Sequence, residues 1–313
     1  MKTMLKTMLA VAAVSLIGLG TVQAADSKPK VALVTKSLAN EFHQNLLNGA
    51  VADQKARSGE YDLIANGIKN EGDTAGQIQL VEQMIVDKVD ALVLAPADSK
   101  ALIPVVKKAV DAGILVINID NNLDADTLKS KGIHLPFVGP DNRKGAKLVG
   151  DYLAAKLTKG DKVAIIEGIP TAFNAQQRTL GFKDAMSAAG MNIVSLQSGQ
   201  WEIDKANTIA SSLLTEHPDL KALLCGNDSM AIGAISAVKS AGKTGQVLVI
   251  GFDNLAAVQP MLNDGRLLAT VEQHGSKLGV YGIDVALKAI KDKTPQNKID
   301  ALIETPVDLA IKQ

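Results

Sequence analysis

Short apolar runs alternate with longer amphipathic stretches along this chain. KVALVTK, residues 30–36, predicts a buried strand, and EFHQNLLNGAVADQKARS, residues 41–58, has helical spacing. YDLIANG predicts a second strand, and the next segment carries Ile78, Val81 and Ile85 as one helical stripe. DALVLAP reads as a strand and SKALIPVVKKAVDAG as a helix ending at Gly113. Pro104 falls in the first turns of that helix, where a missing N–H costs least. ILVINID follows as a strand. A second series repeats the order: KVAIIEG, NIVSLQS, KALLCGN and QVLVIGFD are strands, each followed by a helical stretch.

Strands that are apolar throughout, rather than alternating, belong to a parallel sheet covered on both faces. Repeated strand–helix order gives a doubly wound α/β fold. Two such series, with no low-complexity linker between them, predict two similar doubly wound parallel-sheet lobes joined by short crossing segments. In open α/β sheets, ligands bind beyond the carboxyl ends of the strands. That rule selects Lys36 at the end of the first strand, with Asn40, Phe42 and His43 after it. It also selects Asp120 and Asn121 after ILVINI, Asn227 after KALLCG, Asp253 after QVLVIGF and Gln273 after LLATVE. DALVLAP ends instead at Ala95, which offers no polar group.

Cations donate, carboxylates accept, and planar amides do both. A sugar or polyol needs many such groups, because each buried hydroxyl without a partner costs about 1–3 kcal/mol. Charge-assisted bonds are the stronger kind. The apolar C–H faces of a sugar ring fit flat aromatic rings. Aromatic residues make up only 3% of the chain, so Phe42 and Trp201 in strand-end loops stand out as platforms. Each residue also has a structural reading. Lys36 can be a solvated strand end, and Asp120 and Asp253 can be helix N-caps. Phe42 can be core, Trp201 an anchor at a lobe edge, and Cys225 a small buried hydrophobe. His43, His134, His217 and His274 show no metal-ligand spacing, and His43 is a ligand candidate only through its neighbours.

The opening residues MKTMLKTMLAVAAVSLIGLGTVQAA have a positive start, an apolar stretch and a small-residue end. They predict a secretory signal over residues 1–24, cleaved after Ala24 or Ala25, and hence a periplasmic protein. The alternative is an N-terminal core helix. No cysteine follows the cleavage site directly, so no lipid anchor is expected, and no later apolar stretch is long enough to span a bilayer. The 33 basic and 33 acidic residues balance, which favours neither nucleic acid nor an anionic membrane surface. Cys225 is the single cysteine, so no internal disulfide supports the core. The mature length suits two domains of ordinary size. No G-x-G-x-x-G follows the first strand, and there is no P-loop, H-E-x-x-H or G-x-S-x-G. No catalytic residue, metal or cofactor is therefore assigned, and the spread of carboxylates over strand ends suits recognition better than a reacting centre.

Several stretches then converge on one family. SLANEF, VINIDNN, FVGPDNRKGAKLVGDYL, QQRTLGFKDAM, NDSMAIGAISAVKSAGKTGQVLVIGFDN and TPVDLAIKQ resemble the periplasmic sugar-binding proteins of ABC import systems, in the ribose-binding and allose-binding group. The resemblance covers nearly all of the mature chain. It implies that Lys36 matches a sugar-binding lysine of the allose-like and arabinose-like relatives, where ribose-binding relatives have serine. Asn40 matches a loop asparagine, Phe42 a stacking aromatic and Asp120 the sugar-binding aspartate. Arg178, Trp201, Asn227, Asp253 and Gln273 match the second-lobe ligands. His43 departs from a second aromatic, Ala95 from a sugar-binding asparagine, and Asn121 from an arginine or glutamate, a place where it would tune specificity. Lys36 and EGDTAGQIQL lean towards the allose-like branch. The resemblance further implies a first lobe of residues 25–139 plus 274–307 and a second of 140–273 plus 308–313. The crossovers near Pro140, Gln273 and Asp308 form a three-segment hinge. Free protein would be mostly open, and the ligand would select the closed form. The closed surface would meet an ABC permease and, as a second partner, a chemotaxis receptor, with the protein itself a monomer.

Two other classes compete. A transcription regulator with the same ligand-binding core would need an N-terminal helix-turn-helix and no export signal. A carbohydrate-active enzyme would use Asp120 and Asp253. As to the ligand, Lys36 and Arg178 could suit a sugar acid, but an anion beside two buried carboxylates is unfavourable. The expectation is a neutral pentose or hexose, with a polyol such as a sugar alcohol or inositol as the alternative.

Overall fold

The computed structural model describes residues 28–312, so the expected signal segment and its cleavage site lie outside the described residues. The first half of the chain runs β1 (Lys30–Ser37), α1 (Glu41–Ala56), β2 (Asp62–Ile68), α2 (Thr74–Val86), β3 (Ala91–Leu94), α3 (Ile103–Asp111), β4 (Leu115–Ile119), α4 (Ala125–Ser130) and β5 (Phe137–Pro140). The second runs α5 (Asn142–Ala154), β6 (Lys162–Glu167), α6 (Phe173–Ala188), β7 (Asn192–Ser198), α7 (Ile203–Glu216), β8 (Ala222–Cys225), α8 (Asp228–Ser240), β9 (Leu248–Ile250), α9 (Gln259–Asp264) and β10 (Ala269–Glu272). The chain closes with α10 (Gly275–Lys291), β11 (Leu302–Thr305) and β12 (Asp308–Ile311).

The strands form two six-stranded sheets of matching order, β2-β1-β3-β4-β5-β11 and β7-β6-β8-β9-β10-β12. The first sheet is parallel throughout. The second is parallel except for β12, which runs antiparallel to β10 with Ala269 facing Ile311. Each sheet reverses its strand order beside its first strand, which opens a crevice at the carboxyl ends. The chain crosses between sheets three times: after Pro140, around Gln273, and between Thr305 and Asp308. His274 Nε2 lies 3.0 Å from Asp308 Oδ2 where two of these crossings run together.

Burial on both faces explains the unbroken apolar strands. In β1, Ala32 and Val34 face one core while Val31 and Leu33 face another. In β6, Ala164 and Ile166 divide from Val163 and Ile165 in the same way. All eight are fully buried. Cys225 lies in one of the second sheet's cores, where burial pushes its thiol pKa well up. Helices pair across the sheet faces at glycines. A Cβ on Gly49 of α1 would meet Ser276 O of α10 at 1.8 Å, and one on Gly233 of α8 would meet Ile203 O of α7 at 2.1 Å. Two helices depart from the sequence expectation. The α3 helix starts at Ile103 rather than near Ser99, because Asp98 Oδ1 accepts from Lys100 N and Ala101 N and holds that stretch as a turn. The stretch after β9 is a 3-10 turn, Ala256–Val258, followed by the short α9 with Pro260 in its first turn.

Candidate functional site

The loops at the carboxyl ends of the strands meet in one cavity between the two sheets. Lys36, Asn40, Phe42, His43, Glu71 and Asp120 line it from the first lobe, and Asn174, Arg178, Trp201, Asn227, Asp253 and Gln273 from the second. The larger hollow beside Val89, Ile114 and Pro295 lies at the opposite, amino-terminal ends of the first sheet's strands.

On the first-lobe side, Lys36 is 4% exposed, so it is not a solvated strand end. Its Nζ lies 3.0 Å from Asp120 Oδ2 and 5.8 Å from the centre of the Trp201 ring across the cavity. A buried ammonium needs such a carboxylate to stay charged. Asn40 caps α1: its Oδ1 accepts from Phe42 N at 3.0 Å, and its Nδ2 donates to Glu71 Oε1 at 2.8 Å. Phe42 meets the His43 ring edge-on, with centroids 5.1 Å apart. His43 Nδ1 is 3.0 Å from Thr35 Oγ1, and its Nε2 is 3.8 Å from Glu71 Oε1. Burial, reinforced by Lys36, lowers the His43 pKa to about 3, so its ring is neutral.

On the second-lobe side, Arg178 of α6 donates from Nε to Asn142 Oδ1 at 2.8 Å and from Nη1 to Gly226 O at 2.9 Å. Its Nη1 lies 3.5 Å from Asp253 Oδ1, and its guanidinium lies 3.7 Å from the centre of Phe252. Gln273 Nε2 donates to Asp253 Oδ1 at 2.6 Å. Trp201 rests on Gly168, where a Cβ would stand 2.0 Å from the indole. Asn227 caps α8 by accepting from Met230 N at 2.9 Å.

The backbone is unusual at this site. Asp120, Trp201 and Asp253 have φ of 62°, 69° and 121°, and Gln200, Asn254 and His274 beside cavity residues are also positive. Such conformations cost free energy for residues other than glycine and collect where side chains must be aimed. They also decide two open readings. Neither Asp120 nor Asp253 is a helix N-cap, because α4, which follows Asp120, is capped at Asp124, and the 3-10 turn and α9, which follow Asp253, begin at Leu255 and Val258. Burial opposes the Asp120 charge, but Lys36 and then Arg178 hold its pKa below the ordinary carboxylate range. Burial pushes Asp253 up, against the pull of Arg178 and Gln273. Burial likewise raises Glu71 against Lys36 and Asn40, and lowers Arg178 against Asp253 and Asp120.

Ten of the eleven residues selected from the sequence line the cavity, and Asn121 does not. Asp120 turns the chain so tightly that Asn121 N reaches back to Ile119 O at 2.7 Å. The Asn121 side chain is thereby committed elsewhere: Nδ2 donates to Pro96 O, and Oδ1 accepts from Asn174 N at 3.1 Å and from Ser99 Oγ at 3.4 Å. Asn121 is therefore a link between lobes rather than part of the cavity wall. Ser99 Oγ adds to that link by accepting from Phe173 N at 2.9 Å. Glu41 Oε1 accepts from Ala256 N at 3.0 Å across a second place where the lobes meet. Ala95 is fully buried and adds no polar side chain.

Two cavity residues, Glu71 and Asn174, were not selected from the sequence. Both follow strand ends, of β2 and β6, so the same rule reaches them. Of the other histidines, His134 Nε2 is 3.0 Å from Ile299 O and His217 ends α7. Among the described residues, no group of three or more His, Cys, Asp or Glu side chains is placed to hold a metal. No described helix is long and apolar enough to cross a membrane.

The chain matches the periplasmic binding protein domain family over residues 31–294. It is 63% identical over 282 residues to a D-ribose/D-allose-binding protein of Pseudomonas aeruginosa, covering 90% of this chain and 88% of that one. A crystal structure of an ABC transporter solute-binding protein from Burkholderia multivorans superimposes with a TM-score of 0.89 at 65% identity, covering 91% of this chain and 99% of that one. One from Actinobacillus succinogenes with bound D-allose does so at 0.85 and 35% identity, covering 91% and 98%. Two like lobes, a polar cavity between them and these similarities together mean that the chain belongs to the periplasmic binding protein family, among the sugar-binding proteins of ABC transporters.

Proposed function

We propose that this chain captures one neutral monosaccharide, an aldose of the ribose or allose type, between its lobes and presents it in the closed form to an ABC permease. The unpaired oxygens carry this reading. Five buried side-chain polar atoms among the described residues lack a hydrogen-bond partner, and four belong to the cavity wall: Glu71 Oε2, Asp120 Oδ2, Asn174 Oδ1 and Gln273 Oε1. Asp120 Oδ2 already has Lys36 Nζ at 3.0 Å, which leaves Glu71 Oε2, Asn174 Oδ1 and Gln273 Oε1 as the cavity oxygens without a polar partner. A buried acceptor left alone costs about 1–3 kcal/mol, so this wall calls for several donors at once. A ring of hydroxyls supplies them, and Phe42 and Trp201 suit its C–H faces. A carboxylate ligand would add acceptors where acceptors are already unpaired.

The ligand-binding set is then Lys36, Asn40, Phe42, His43, Asp120, Arg178, Trp201, Asn227, Asp253 and Gln273, extended by Glu71 and Asn174. Residues 25–139 with 274–307 form one closing body and 140–273 with 308–313 the other, hinged at the three crossings. The chain acts as a monomer without catalysing a reaction, and a chemotaxis receptor is a second reader of the closed surface. The names of the Pseudomonas and Actinobacillus relatives support the sugar class.

A thermal-shift screen of the mature protein against aldoses, ketoses, polyols and sugar acids tests this. A tight ligand raises the melting temperature by mass action. Trp201 is the only tryptophan, so its emission should change with the same ligand. A shift with one neutral aldose is expected. A shift with polyols alone would move the assignment to that class, and a shift with sugar acids alone would overturn the neutral reading.

A further inference from the structure

We infer that Glu71 is a specificity-determining residue of this site and holds a hydroxyl carried on an exocyclic carbon, so that the ligand is a hexose in preference to a pentose. This rests on the sugar-binding role proposed above. Glu71 lies in the loop after β2 and is 4% exposed. Its Oε1 is engaged by Asn40 Nδ2 at 2.8 Å and faces His43 Nε2 at 3.8 Å, while its Oε2 has no partner. All twelve side chains that line the inner cavity are buried.

At Glu71 the wall is a single layer of side chains. Asn40, Glu71 and Trp201 also bound a second hollow of about 370 Å³, which runs out past Glu202 and Ile203. A substituent leaving the ring on this side meets the free Glu71 oxygen. Its chemistry is restricted as well. An anionic arm would enter between Glu71 and Glu202, whereas a hydroxymethyl group brings the donor that Oε2 lacks. Burial favours the protonated form of Glu71 against the pull of Lys36 and Asn40, and a hydroxyl partner suits either form.

D-Allose and D-ribose make a matched pair of probes, because ribopyranose is allopyranose without its hydroxymethyl arm. Calorimetric titration of both sugars into wild type and Glu71→Ala separates the possibilities, with Glu71→Gln as the variant that preserves shape. Losing one buried hydrogen bond should weaken D-allose at least about tenfold in Glu71→Ala and change D-ribose less than about threefold. Glu71→Gln should fall between wild type and Glu71→Ala for D-allose. Equal losses for the two sugars would overturn the inference and reduce Glu71 to a prop for Asn40. No loss for either would overturn it outright. Wild type that binds neither sugar, yet binds another ligand, would overturn the sugar-class reading and this inference with it.

Discussion

His43 is the residue whose protonation conflicts most with its place. Its folded pKa is about 3, against an ordinary value near 6.5, because burial and Lys36 oppose the charge. The unfolded chain therefore binds a proton that the folded chain refuses between those two values. The stability this residue supports is present above about pH 6.5 and is lost as pH falls towards 3. Glu71, Asp228 and Asp253 are shifted upwards and work in the opposite sense, losing stability as pH rises through their folded pKa values. A difference measurement isolates the imidazole. Without ligand, wild type should be more stable than His43→Asn at pH 7.5 by about 1 kcal/mol, the worth of the Thr35 hydrogen bond. That gap should narrow or invert by pH 4, read as the difference between the two melting curves. A gap that does not change with pH would mean that His43 titrates alike in both states. Most of these residues were legible in the sequence, because a strand end in a doubly wound sheet fixes where a polar side chain must go. Glu71 obeys the same rule but lies several residues into its loop, and Asn174 lies beyond its loop, in the first turn of α6. Asn121 misled because a single left-handed φ at Asp120 redirects the next side chain, and no composition signal marks that turn.

At the scale of elements, the cavity's aromatic wall depends on glycines in two strand-end loops. Gly168 follows β6 and Gly226 follows β8, and the Trp201 ring lies against both. A methyl group at Gly168 would stand 2.0 Å from the indole, which is too rigid to yield at its far end. Gly168→Ala should therefore displace Trp201 and cost about 1–3 kcal/mol of stability by overpacking. Because Trp201 is the only tryptophan, its emission should move to the red, and sugar affinity should drop at least about tenfold with the lost ring contact. Unchanged emission and affinity would show that the loop absorbs the methyl group. The elements themselves were readable because burial on both faces leaves strands with no polar side. The direction of β12 was not readable: a short edge strand of half-buried residues pairs equally well either way in composition, and the crossing at Asp308 decides it.

Across the whole molecule, two kinds of contact join the lobes, and they predict different mutant behaviour. The cavity side chains meet through a ligand, whereas the side chains of Ser99 and Asn121 accept directly from the backbone N–H groups of Phe173 and Asn174. The direct link forms only when the lobes are together, so it biases the open–closed equilibrium without reading the ligand. Ser99→Ala removes the acceptor for Phe173 N, a group that water can satisfy once the lobes part. Removing one such bond lowers the closed population about three- to tenfold, and apparent affinity falls by the same factor. D-Ribose and D-allose should therefore weaken equally in Ser99→Ala, with the loss appearing in faster dissociation. A loss that differed between the sugars would place Ser99 in ligand recognition. No loss for either would mean that closure is driven by the ligand and the hinge alone. The contrast with Glu71, where the sugars should separate, follows from one physical distinction: a group that touches the ligand changes relative affinities, and a group that only joins the lobes rescales them all.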